Sequence, residues 1–110
     1  MTQAYTIDGF LGDTLRLKQP RDGFRSGHDA VLLAAAAQPP QSGHIAELGS
    51  GAGIASLCFA VRRKDAQITG IEVDADMVAL AKSNADANDL GARAHFKQGD
   101  ITAPFSEMHL

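Results

Sequence analysis

The run Glu47-Leu48-Gly49-Ser50-Gly51-Ala52-Gly53 sets three glycines at alternate positions between a short apolar stretch and a helical one. Gly49 permits a sharp exit from a strand and Gly51 lets a ligand approach the backbone. Gly53 lets loop and helix come close with no Cβ between them. A loop of this kind offers backbone N–H groups at a helix N-terminus, where a polar ligand can be held. A glycine-rich helix cap without a ligand is the plain alternative. Spacing narrows the ligand: a dinucleotide fingerprint starting at Gly49 requires glycine at position 54, where Ile54 stands, and no Gly-Lys-Ser or Gly-Lys-Thr follows. Phosphate-rich ligands are therefore disfavoured.

Two further acids extend the constellation. Glu72 follows an apolar strand pattern 21 residues after Gly51, where a carboxylate can accept hydrogen bonds from both hydroxyls of a ribose and repel a 2′-phosphate. A solvated acid at a strand end is its alternative reading. Asp74 suits helix N-capping as well as ligand contact. Asp100, in Gly99-Asp100-Ile101, stands just beyond a third strand pattern and can accept an adenine amino hydrogen, or simply occupy a turn. In a parallel sheet the C-terminal ends of all three strands lie on one side, so Gly49–Gly53, Glu72 and Asp100 are expected to converge there.

The elements that must position these residues alternate strand and helix. Ile45–Leu48 reads as a strand, Ile54–Arg62 as a helix and Ile68–Val73 as a strand. A second helix runs from Ala75 to about Asn88, with Met77, Leu80, Ala81 and Ala85 facing the sheet and Gly91 suited to the left-handed position after it. Ala94–Gln98 is a third strand. Connections of this length are those of right-handed βαβ units. Upstream, Tyr5–Leu11 and Thr14–Lys18 read as a hairpin turning at Gly12-Asp13, with Pro20 ending the ladder because it has no N–H. Asp29 caps a helix through about Gln38, and Pro39-Pro40 stops it. The expected fold class is α/β: a short hairpin and helix (1–44) followed by the first half of a doubly wound, Rossmann-like sheet (45–110).

Composition agrees with a folded domain. Of 110 residues, 45% are hydrophobic and 21% charged, with no Trp and few aromatics, so the core must be built mainly from Ile, Val, Leu and Ala. The net charge of -3 is unevenly placed: residues 1–44 hold four acids and four bases, residues 45–110 nine and six. No single-sign field able to capture nucleic acid unaided results. Cys58, the one cysteine, lies in an apolar helical segment and reads as a packing residue; it excludes an internal disulfide and a Cys-based metal cluster. The first twelve residues carry neither a basic nor an apolar leader region, and no run reaches the roughly 18 apolar residues of a membrane span. A cytoplasmic location and no metal are the expectations.

The motifs together resemble the class I S-adenosylmethionine-dependent methyltransferases. Glu47–Gly53 is similar to their first motif, Gly70-Ile71-Glu72-Val73-Asp74 to the second and Gly99-Asp100-Ile101 to the acidic adenine-side motif. The segments Leu15–Pro20 and Gly23-Phe24-Arg25-Ser26-Gly27-His28-Asp29-Ala30-Val31-Leu32-Leu33-Ala34 resemble the opening of the bacterial tRNA(Val) adenine-N6 methyltransferase-like proteins, which are small-domain methyltransferases beside the glutamine-N5 release-factor enzymes. The resemblance implies S-adenosyl-L-methionine as cofactor, held by Glu47, Gly49, Ser50, Gly51, Gly53, Glu72 and Asp100. Within that set, Glu47 and the loop would serve the methionine end, Glu72 the ribose and Asp100 the adenine. Arg25 and Asp29 are implied as cleft-lining residues, Arg25 towards the methionine carboxylate or a substrate phosphate. A surface role for Arg25 and a capping role for Asp29 stand beside these, and His28 is not assigned as a base.

Relatives that methylate planar amino nitrogens carry an Asn/Asp-Pro-Pro-Tyr motif after a fourth strand. This chain holds none, since Pro39-Pro40 precedes the first Rossmann strand between Gln38 and Gln41. No catalytic residue is therefore assigned within it, and the 110 residues are expected to be a fragment, inactive alone. Its first Rossmann strand would present a free edge open to self-association. The parent is expected to methylate adenine N6 of tRNA. Protein glutamine-N5 or another small-domain substrate is the chemical alternative, and a non-catalytic nucleoside-binding or interaction module is the alternative of a different class.

Overall fold

The computed structural model describes residues 5–12, 14–21 and 44–100. Among them lie an antiparallel hairpin of β1 (Tyr5–Phe10) and β2 (Leu15–Pro20), and a parallel unit of β3 (His44–Leu48), α1 (Ile54–Arg62), β4 (Gln67–Glu72), α2 (Ala75–Ala87) and β5 (Ala94–Gln98). The strand order β3-β4-β5 is the one expected for the first half of a doubly wound sheet, with Ile45 opposite Ile68 and Ile68 opposite Ala94. Both crossovers step in the same direction. Right-handed connections therefore put α1 and α2 on one face, and both helices pack on β4 and β5. The helix expected from Asp29 to Gln38, and with it Arg25, Asp29 and the Pro39-Pro40 stop, lies outside the described residues.

β4 is the middle strand and its residues 68–71 are all buried, as the near-continuous burial of an interior parallel strand leads one to expect. The core joins Ile68 and Phe96 of the sheet to Ile54, Leu57 and Cys58 of α1, to Val78, Ala81 and Ala85 of α2, and to Phe10, Leu15 and Leu17 of the hairpin. Hairpin and parallel unit thus share one hydrophobic cluster. Cys58 is fully buried, as expected of a packing residue, and burial pushes its thiol pKa up to about 11. β3 lies at an edge of the sheet among the described residues.

Three local readings change. The hairpin strands close one pair earlier, Phe10 opposite Leu15, and run on to Tyr5 opposite Pro20. Pro20 is tolerated because it ends its strand. Among the described residues of the turn, Leu11 (φ 54°) and Gly12 (φ 63°) are left-handed. On α2, Met77 and Leu80 are only partly buried, while Val78 and Asn84 face inward beside Ala81 and Ala85. Finally, the left-handed position after α2 belongs to Asp89 (φ 59°), not to Gly91. There the Leu90 N–H donates to the Ala85 carbonyl at 2.8 Å and the Asp89 N–H to the Asp86 carbonyl at 3.3 Å. These are the two bonds of a Schellman motif, and Leu90 is buried at its apolar position.

Candidate functional site

The chain leaves β3 through a left-handed residue, Gly49 (φ 73°), whose N–H donates to the Ile71 carbonyl at 2.8 Å; the Ser50 N–H shares that acceptor at 3.1 Å. The loop is thereby hung on the end of β4. Gly51 and Gly53 are left-handed as well, at φ 56° and 85°, but their surroundings differ. A Cβ on Gly51 would meet nothing within 4 Å, so that face of the loop is open to an incoming group. A Cβ on Gly53 would lie 2.8 Å from Phe96 Cζ, 3.0 Å from Cε1 and 3.2 Å from Ala81 Cβ. Close packing thus requires Gly53, but against β5 and α2 rather than against the helix that follows the loop. The same ring excludes a side chain from Gly70, where a Cβ would lie 2.6 Å from Phe96 Cδ1 and 2.7 Å from Ser50 Oγ. Phe96 therefore fills the space that two glycines leave, and the loop rests on it.

Glu72 meets this loop directly. Its Oε1 accepts from the Gly51 N–H at 2.9 Å and its Oε2 from the Asp74 N–H at 3.0 Å. Each carboxylate oxygen retains a further lone pair for an arriving hydroxyl. Asp74 caps α2, Oδ1 accepting from the N–H groups of Asp76 (2.9 Å) and Met77 (3.3 Å). Beyond β5, the Gly99 N–H donates to the Glu72 carbonyl at 3.0 Å, which sets the exposed Asp100 beside the same strand end. The carboxyl ends of all three parallel strands are thus brought together, with the loop, Glu72 and Gly99-Asp100 as neighbours. Val73, 62% exposed, presents an apolar side chain between the two acids in sequence. Gln98 Nε2 holds the Val73 carbonyl at 3.1 Å.

Glu47 sits apart from Glu72, beneath the start of α1, where Ser56 Oγ donates to its Oε1. Burial raises its carboxyl above the usual range, and the Ser56 hydroxyl and N–H oppose that shift only in part. Ser50 contributes its main chain to the loop. Its side chain is buried against Gly70, and its Oγ has no hydrogen-bond partner among the described residues. No group of three or more His, Cys, Asp or Glu is placed to hold a metal ion among the described residues. No described helix is long and apolar enough to cross a membrane.

Some supporting residues escaped the sequence reading. Asn84, 1% exposed, reaches from α2 both to β2 and to the loop: its Nδ2 donates to the carbonyls of Lys18 and Ala52, each at 3.0 Å. Its one sequence signal is a polar residue on the apolar stripe of α2, three residues from Ala81. Arg93 ties off α1 by donating to the carbonyls of Ala60 (2.8 Å), Arg63 (3.0 Å) and Ala66 (3.2 Å). Nothing in its sequence neighbourhood signals that role.

Known proteins are similar to this chain in sequence and in fold. The methyltransferase small domain matches residues 26–110. A tRNA1(Val) (adenine(37)-N6)-methyltransferase of Pasteurella multocida is 32% identical over 94 residues, covering 84% of this chain and 40% of that relative. A release factor glutamine methyltransferase of Bacillus cereus is 34% identical over 62 residues, covering 56% of this chain and 21% of that relative. The chain therefore spans less than half the length of these two relatives. Among solved structures, an RNA methyltransferase from Salinibacter ruber in complex with S-adenosyl-L-homocysteine superimposes with a TM-score of 0.56 at 28% identity, over 70% of this chain and 48% of that one. With its parallel sheet, glycine loop and strand-end acids, this chain belongs to the methyltransferase small-domain family.

Proposed function

We propose that the chain binds S-adenosyl-L-methionine across the carboxyl ends of β3, β4 and β5, and that the protein carrying it transfers the methyl group to an amino nitrogen, adenine N6 of tRNA. The observation that carries the cofactor reading is the 2.9 Å bond between Glu72 and the Gly51 N–H, which joins the open loop to the acid we assign to a ribose. The donor set fits a nucleoside with a zwitterionic tail. Glu72 has acceptor capacity for hydroxyls, Asp100 can accept from the adenine amino group, and the open face of Gly49 and Gly51 admits the tail to the backbone. Glu47, two residues before Gly49, is the carboxylate we assign to the ammonium of that tail. When bound, the cofactor supplies a sulfonium methyl group. The chain's own residues orient it, and orientation and proximity supply most of the rate in direct transfer to a held nucleophile.

The tRNA reading is supported by the extent of likeness. The tRNA-modifying relative is similar over 94 residues, well beyond the glycine-loop region, whereas the release-factor relative is similar over 62. Protein glutamine is the second reading, on the strength of that second relative. Calorimetry of the chain with S-adenosyl-L-methionine, S-adenosyl-L-homocysteine and NAD tests the site: saturable binding of the first two is expected, and preference for NAD contradicts the assignment. Incubating the protein with labelled S-adenosyl-L-methionine and either tRNA or a release factor, followed by mass spectrometry of the product, separates the acceptors. Cofactor binding with no transfer to either would favour a non-catalytic nucleoside-binding module.

A further inference from the structure

Among the described residues, one side chain hydrogen-bonds both the hairpin and the glycine loop. Asn84 Oδ1 accepts from the Lys18 N–H at 2.7 Å, while its Nδ2 donates at 3.0 Å to the Lys18 carbonyl and at 3.0 Å to the Ala52 carbonyl. One turn later, Asn88 repeats the pairing with Arg16. Its Oδ1 accepts from the Arg16 N–H at 3.2 Å and its Nδ2 donates to the Arg16 carbonyl at 3.0 Å. A carboxamide carries the donor and acceptor of a peptide group, so the two asparagines pair with alternate residues of β2 as a neighbouring strand would. Among the described residues Asn88 reaches the hairpin and the Asn84 carbonyl, whereas Asn84 extends the network to the loop.

The loop contact falls on a carbonyl that has no other hydrogen bond among the described residues. The Ala52 carbonyl precedes the helix ladder of α1, whose first bond is from the Leu57 N–H to the Gly53 carbonyl, and Ala52 is buried. The N–H of the same Ala52–Gly53 peptide donates to the Ser50 carbonyl at 2.9 Å. That peptide plane is therefore held from both ends. Its orientation sets the direction in which the Gly51 and Ala52 backbone faces the open side of the loop. Both Nδ2 protons of Asn84 are used, and reversing its amide would set an oxygen against two carbonyls.

We propose that Asn84 is a positioning residue for the glycine loop, so that the N-terminal hairpin is coupled to affinity for the methionine end of the cofactor. This rests on the reading that the loop holds that end. The test compares binding of S-adenosyl-L-homocysteine with binding of adenosine, which lacks the methionine tail, by calorimetry on the chain and its variants. N84A is expected to weaken S-adenosyl-L-homocysteine about tenfold while adenosine changes by no more than about twofold, and N88A is expected to leave the ratio of the two unchanged. A purely structural role for Asn84 would lower thermal stability without moving that ratio. An unchanged ratio in N84A, or an equal change in N88A, overturns the proposal while leaving the cofactor assignment standing. Absence of S-adenosyl-L-homocysteine binding by the unmodified chain overturns both. A measurement on the unmodified chain covers the case in which N84A does not fold. By reciprocity of coupling, S-adenosyl-L-homocysteine should increase hydrogen-exchange protection of the Lys18 amide more than that of the Arg16 amide, and equal effects overturn the proposal.

Discussion

Replacing each loop glycine by alanine separates backbone strain from packing and both from ligand contact. Gly49, Gly51 and Gly53 are all left-handed, and an L-residue there costs about 1–2 kcal/mol each. For Gly49→Ala and Gly51→Ala that is the whole cost, because the new methyl group enters open space. Gly53→Ala adds overpacking against Phe96 and Ala81, at 2.8 and 3.2 Å, which costs about 1–3 kcal/mol more. The expected loss for Gly53→Ala is thus about 2–5 kcal/mol, a large share of the stability of a domain this size. Urea denaturation should show a lower midpoint for all three with an unchanged slope, and lowest for Gly53→Ala. Leucine at 96 lacks the Cε1 and Cζ atoms that obstruct. Phe96→Leu combined with Gly53→Ala should therefore lose at least about 1 kcal/mol less than the two single changes added together. Gly51→Ala should retain most stability yet lose cofactor affinity. If Gly53→Ala proves no more damaging than Gly49→Ala, or if the double variant is additive, the account of Phe96 as the support under the loop is wrong.

Three further outcomes follow from individual groups. Arg93→Lys should cost about 2–3 kcal/mol in urea denaturation, because an ammonium cannot reproduce a planar fork that reaches three carbonyls between the end of α1 and the start of β4. For Glu47, burial raises the folded carboxyl above its unfolded value, so the folded state binds its proton more tightly. The penalty from this group is absent below the unfolded value and is fully present above the folded one. Glu47→Gln should therefore raise the melting temperature at pH 7, with the gain fading as the pH falls through the raised folded value and gone by about pH 4, and should weaken S-adenosyl-L-homocysteine if Glu47 serves its ammonium. A melting gain that is independent of pH would contradict the burial argument. Cys58, fully buried with its thiol pushed up to about 11, should resist iodoacetamide at pH 8 in the folded chain and react in urea; rapid labelling of the native protein would show that α1 is not packed as described.

Much of the site could be read from local pattern. Three glycines at alternate positions after an apolar run have few structural uses, and in the structure all three are left-handed. An acid ending the next apolar run can only stand at the same end of a parallel sheet, and Glu72 does meet Gly51. Helix α1 ran over the residues expected of it, because its apolar positions recur with helical period up to the basic pair Arg62-Arg63. The close of α2 was misjudged for a physical reason. Gly91 has the intrinsic freedom for a left-handed turn, but the buried anchor of the motif is Leu90, which assigns the left-handed place to the residue before it, Asp89.

What the sequence by itself determined was the order of elements, the glycine loop and the acids at the strand ends, since all of these follow from spacing along a chain with fixed helix and strand periods. Only the tertiary structure decided what lies beneath them. Gly53 and Gly70 meet in the ring of Phe96, 26 positions or more away in the chain, and Asn84 joins Lys18 to Ala52 across 66 and 32 positions. No local period encodes such meetings. They arise when right-handed crossovers lay α2 over the sheet, and a buried carboxamide there must find partners for every donor it carries.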